Sequence, residues 1–183
     1  MEFLHANDPN AIYCKKNEIH FSTRVTDLTI NALIRTFDKC LEEHKKEPKI
    51  TFYIDSPGGS VSDCFKFVDY IDMLRKDGKI KELTTIITGC AASAATIMAI
   101  VGDRRLMTKS AVSMIHESSG MVAGELSKIG VRVAMMRGYQ KRISELYAMQ
   151  TGKKEEEIDA AMQRETWYSA KEYLDAGFIH EIC

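Results

Sequence analysis

Apolar residues at Ile30, Leu33, Ile34, Phe37 and Leu41 recur at helical spacing, with Thr26 ahead of them as an N-cap and a charged run at 42–46 behind. That helix is expected to stop before Pro48. A short strand over 18–22 precedes it. Residues 1–16 show no clear period and carry an early proline, Pro9, so they read as an irregular N-terminal arm ahead of a single domain at 17–183.

The stretch KITFYI at 49–54 is rich in β-branched and aromatic side chains and predicts a strand. DSPGGS then turns the chain, and 61–75 takes up helical spacing again. The unit repeats, with a strand at 83–88, a helix at 92–101, and short strands at 105–107 and 112–116. Alternation of this kind predicts an α/β fold with a largely parallel sheet.

A long helix is predicted from Gly124 to about Gln150, some ~40 Å at 1.5 Å per residue. It carries two apolar stripes. One is Leu126, Ile129, Val133, Met136, Ile143 and Tyr147; the other is Val131, Met135, Tyr139, Leu146 and Met149. A single core needs only one of them, so the helix is either buried on both sides or meets another subunit. Helices at 154–162 and 169–176, the latter ended by Gly177, and a strand at 178–182 complete the chain.

The 183 residues suffice for one sizeable core, and 45% hydrophobic with 28% charged residues is an ordinary globular composition. Lys plus Arg number 25 against 26 Asp plus Glu, which gives no basic field for nucleic acid. Cysteines 14, 40, 64, 90 and 183 form no CxxC pair and fit reduced thiols in a cytoplasmic protein. The N-terminus lacks the apolar core of a secretory signal, and the small-residue stretch 89–102 is too short to span a bilayer, so no membrane segment is expected.

Three places carry candidate chemistry. In Ser56-Pro57-Gly58-Gly59-Ser60, two glycines and a helix start leave backbone N–H groups free to hold an oxyanion, unless the segment is a plain turn. No Lys-Ser or Lys-Thr follows, which disfavours a phosphate loop. In GCAASAAT at 89–96, Ser93 lies at the next strand-helix junction, where it is either a nucleophile or an ordinary cap on a packed helix. His116 ends the strand VSMIH and is either the base that such a serine needs or a structural histidine.

Taken together, YIDSPGGSV at 53–61, GCAASAA at 89–95 and SMIHES at 113–118 resemble the Clp protease proteolytic subunit (ClpP) family of serine peptidases. The resemblance continues through ELYAMQTGK and RETWYSAKEYLDAGFIHEI and covers about residues 17–182. It implies a crotonase-like α/β fold of stacked βα units, whose long protruding handle helix interlocks two stacked heptameric rings of a homo-oligomer around a closed chamber. It implies a serine endopeptidase acting on unfolded polypeptides, with no metal or organic cofactor and with ATP used, if at all, by a separate Clp-type ATPase unfoldase.

Position by position, the resemblance makes Ser93 the nucleophile, His116 the general base and the N–H groups of Gly59 and Ala94 the oxyanion hole. Substrate-binding edges fall at Ser60–Val61 and Ser118–Ser119. The family's orienting Asp corresponds to Glu165, one methylene longer, which can still orient a histidine. Thr51 and Tyr53 stand where the family has an aromatic pair lining its unfoldase-docking pocket, and five extra residues lie around LRKDGKIKE. Two other classes stay open: a catalytically impaired ring subunit, and an acyl-CoA enzyme that stabilises an enolate with the same paired amides.

Overall fold

The computed structural model describes residues 11–44 and 49–183. Its first elements, β1 (Ile12–Lys15) and β2 (Glu18–Phe21), form an antiparallel hairpin with Ile12 opposite Phe21. Residues 12–15, expected to be irregular, are therefore an edge strand; four residues are too few for a period to stand out. The remainder of the expected arm, 1–10, lies outside the described residues, as does Pro48.

Parallel to β2 run β3 (Lys49–Ser56) and β4 (Glu82–Ala92), followed by β5 (Arg104–Met107) and β8 (Glu181–Ile182). The outer neighbour of β4 changes along its length. Residues 84–87 pair with β5, whereas 90–92 pair with β6 (Val112–Ile115). β6 in turn pairs antiparallel with β7 (Thr166–Ser169), a strand not anticipated from the sequence.

Two helices cover one face because their apolar stripes match it. In α1 (Asp27–Glu43), Thr26 closes a capping box with Thr29 and the buried stripe is Ile30, Leu33, Phe37 and Cys40. In α2 (Val61–Lys76) the buried residues are Cys64, Phe67, Ile71 and Leu74. Phe37, Phe52 and Phe67 pack with centroids 5.4–5.5 Å apart and join both helices to β3. Burial of each such ring contributes roughly 1.5–3 kcal/mol.

The seven residues of α3 (Ala94–Ile100) are all buried, as a helix that is apolar on every side must be. β4 reaches further than predicted and takes in Cys90, Ala91 and Ala92, so α3 begins two residues later than the sequence suggested.

The long helix α4 (Leu126–Thr151) ends on Gly152 in the left-handed conformation. Only Ile143, Ser144 and Tyr147 along it are buried. Both predicted stripes are thus largely uncovered over the first four turns, where Leu126 is 88% and Val131 70% exposed. α5 (Glu155–Gln163) and α6 (Ala170–Asp175) close the C-terminal part, and the expected strand 178–182 shrinks to its last two residues of β8.

Candidate active site

Three βα corners meet at the carboxyl ends of the strands, and two glycines let them touch. Gly58 has φ +87°, and a Cβ there would lie 2.4 Å from the Ala92 carbonyl and 2.9 Å from the Ala94 nitrogen. Gly59 has φ +149°, and a Cβ there would lie 2.1 Å from the Val25 carbonyl. In return Val25 N–H donates to Gly58 O (2.9 Å) and Ser60 N–H to Val25 O (3.0 Å). No side chain larger than hydrogen fits either contact, so the turn is built for close backbone approach.

Ser93 stands at the N-terminus of α3 with φ 55° and ψ −129°, a conformation that a non-glycine residue holds only when its surroundings impose it. The imposing contacts are visible. Ser93 N–H donates to Met114 O (2.8 Å) as the β4–β6 ladder ends, and Ser93 O accepts from Thr96 N–H (3.0 Å) and from the Thr96 hydroxyl (2.5 Å). Although Ser93 occupies the cap position, its side chain makes no cap hydrogen bond. Its Oγ instead lies 2.7 Å from Nε2 of His116, the residue that follows β6.

A cavity of about 50 Å³ opens beside this pair. Of the residues proposed from sequence, Gly59, Val61, Ala94, Ser118 and Ser119 line it together with Ser93 and His116. Ser60 does not line it and instead caps α2, its hydroxyl accepting from Asp63 N–H (3.4 Å). As the first residue of α3, Ala94 has an N–H without an intrahelical acceptor, which suits it to receive an anionic oxygen.

Sequence reasoning missed the apolar wall of the cavity, made by Ile97, Ile143 and Tyr147. Tyr147 is buried, which pushes its phenol well above the ordinary value and keeps it neutral. Its hydroxyl bonds the Thr96 hydroxyl, the same group that reaches Ser93 O. Ile143 and Tyr147 belong to one of the two apolar stripes predicted for this helix, and only the packing shows that the stripe ends at a cavity. Gln140 was also missed. Its Oε1 accepts from Ser118 N–H (2.8 Å), while Glu117 N–H donates to Met162 O (3.2 Å), so the segment after His116 is held by α4 and α5. The Ser118 hydroxyl is buried with no hydrogen-bond partner among the described residues.

Glu165 lies just beyond the end of a ladder. The antiparallel β6–β7 pairing ends with Ile115 opposite Thr166, and His116 and Glu165 are the residues that flank this last pair. Glu165 has φ 51°, is exposed, and its N–H donates to Met162 O (3.0 Å). Among the described residues its carboxylate makes no hydrogen bond, to His116 or to any other group. Behind Ala94, the buried Cys64 thiol donates to Ala94 O (2.9 Å), and burial pushes it well above its ordinary value.

A serine hydroxyl held off its cap and against an imidazole at a helix start is an arrangement that serine acyl-transfer chemistry can use. The chain belongs to the Clp protease family, whose model matches residues 4–183. It is 33% identical over 168 residues to the ATP-dependent Clp protease proteolytic subunit 1 of Chlamydia trachomatis serovar D, covering 90% of this chain and 84% of that protein. Over 177 residues it is 28% identical to the ATP-dependent Clp protease proteolytic subunit 2 of Frankia casuarinae, covering 96% and 79%. Over 146 residues it is 34% identical to the ATP-dependent Clp protease proteolytic subunit of Streptococcus gordonii, covering 78% and 72%. The fold is accordingly crotonase-like α/β, and the protein is a ClpP-type serine peptidase. No helix among the described residues is long and apolar enough to cross a membrane.

Proposed function

We propose that this peptidase cleaves unfolded polypeptides with Ser93 as nucleophile and His116 as general base. The observation that carries the reading is the 2.7 Å contact between Ser93 Oγ and His116 Nε2, made by a serine whose hydroxyl does not cap its helix. Ser93 attacks the scissile carbonyl while His116 takes its proton and returns it to the leaving amine. The N–H groups of Gly59 and Ala94 hold the oxyanion, and water activated by His116 then releases the acyl group. Glu165 orients the imidazole once substrate or a neighbouring subunit draws it inward; its place beside the Ile115–Thr166 pair that precedes His116 supports that role. Val61, Ser118 and Ser119, on the cavity wall, receive the substrate, with Ser60 fixing the start of α2.

The peptidase domain, 17–183, works as a homo-oligomer of two stacked seven-membered rings enclosing the sites. Support comes from α4, whose exposed Leu126, Val131, Met135 and Met149 form an apolar surface suited to another copy. A Clp-type ATPase delivers substrate, in keeping with the ATP dependence in the relatives' names. Five free thiols suit the cytoplasm.

Labelling with a fluorophosphonate tests the chemistry. The unsubstituted chain is expected to take up the probe at Ser93 and Ser93→Ala to lose it; uptake that survives the substitution sinks the reading. Sedimentation tests the assembly, with a ring-sized particle expected and a monomer at micromolar concentrations counting against it.

A further inference from the structure

We propose that Asp55 is a positioning residue that sets the Ser93–His116 geometry by bracing the bulge in β4. β3 and β4 run in step as far as Ile54 opposite Ile87, and then resume with Ser56 opposite Ala91. One residue of β3, Asp55, therefore spans three of β4: Thr88, Gly89 and Cys90. Its side chain substitutes for the missing ladder contact, with Oδ1 accepting from Cys90 N–H at 2.9 Å.

The bulge lies where β4 exchanges neighbours. Up to Ile87 the strand is paired with β5, and from Cys90 it is paired with β6. The short segment 90–92 that leads into Ser93 is thus held from one side by β6 and from the other by the Asp55 carboxylate at its first residue and the Ser56 pairing at its second. β6 also carries His116 at its end, so this segment fixes both partners of the 2.7 Å contact. Without the brace, β3 holds this stretch only through the Ser56–Ala91 pair beyond the bulge and the Thr88 hydroxyl on Ile54 O before it, a stretched 3.4 Å.

Gly89 shows how closely the carboxylate is fitted. A Cβ at that position would lie 2.6 Å from Asp55 Oδ1, so the strand backbone is wrapped around the side chain. The bond needs an acceptor oxygen at this reach and not a charge, since its donor is a neutral amide. Asparagine can supply it and alanine cannot.

The role in catalysis rests on the reading of Ser93 as nucleophile, and the test separates the two. With full-length assembled protein, Asp55→Ala is expected to lower the rate of fluorophosphonate labelling about 10²-fold, the scale of a small misplacement of reacting groups. In peptide hydrolysis the loss should fall on kcat, with KM within about twofold. Asp55→Asn should keep labelling within about threefold of the unsubstituted rate. If Asp55→Ala does not fold, Gly89→Ala, which drives a methyl into Oδ1, is expected to slow labelling in its place.

The His116 ring 15N resonances report the bond to Ser93 without turnover. A change in Asp55→Ala that is absent in Asp55→Asn supports the assignment even if no label attaches to Ser93, an outcome that would sink the nucleophile reading alone. Labelling at the unsubstituted rate in Asp55→Ala, or in Gly89→Ala where the former does not fold, overturns the proposal. So does an Asp55→Asn variant as slow as Asp55→Ala.

Discussion

His116 Nε2 lies 2.7 Å from Ser93 Oγ although the two residues follow the ends of different strands, β6 and β4. What brings them together is backbone pairing of β4 with β6, continued one step further by Ser93 N–H on Met114 O. Two groups that act as one unit lose their effect together. Ser93→Ala and His116→Ala should each reduce peptide hydrolysis about 10³-fold or more, and the double variant should fall no further. Steady-state rates of the three variants check this, and additive losses would separate the two residues.

The close approach at Gly59 makes a second prediction. Gly59→Ala forces a methyl to 2.1 Å from Val25 O, a backbone atom, so the overlap cannot relax through a flexible side chain. Denaturant unfolding should show a loss of about 1–3 kcal/mol or more, together with loss of labelling at Ser93. A fully active, equally stable Gly59→Ala protein would mean that the turn can open without disturbing the site.

Glu165 is exposed and makes no side-chain hydrogen bond among the described residues, so its removal should cost little stability. If it orients His116 during turnover, Glu165→Gln will lower kcat about tenfold or more while the melting temperature stays put. Unchanged turnover removes Glu165 from the mechanism and leaves Ser93 and His116 working as a dyad.

A pH dependence follows from the cap of α6. Hydrogen bonds from the Ser169 side chain and then its backbone N–H hold the Glu172 carboxyl below its ordinary 4.5. The folded value is therefore the lower one, so the stabilisation is fully present above about pH 4.5 and is lost as pH falls through the folded value. Melting temperatures of Glu172→Gln and the unsubstituted chain should differ near neutrality and converge in acid. A difference independent of pH would show that charge plays no part in the cap.

Much of this arrangement is legible along the chain because it rests on local signals. Thr26 marks the start of α1, SPGGS a turn between strand and helix, and VSMIH a strand delivering a histidine to its end. β7 was not legible: TWYS is four residues long and runs straight into α6, so no period develops before the next element begins. The bulge at 88–90 was hidden for a different reason. It exists only as a difference in register between two strands, and a side chain on β3 completes it. Tyr147 fits a core stripe equally well whether its stripe meets packed atoms or a cavity, and only the fold decides.

β4 has a strand on each side at 84–87 and again at Ala91, β3 on one side and first β5 then β6 opposite. Such a strand sheds its protection against amide exchange only when the whole sheet opens. Heating should therefore silence the enzyme and melt it over the same interval, with no range in which a folded protein sits idle because its reactive corner has frayed.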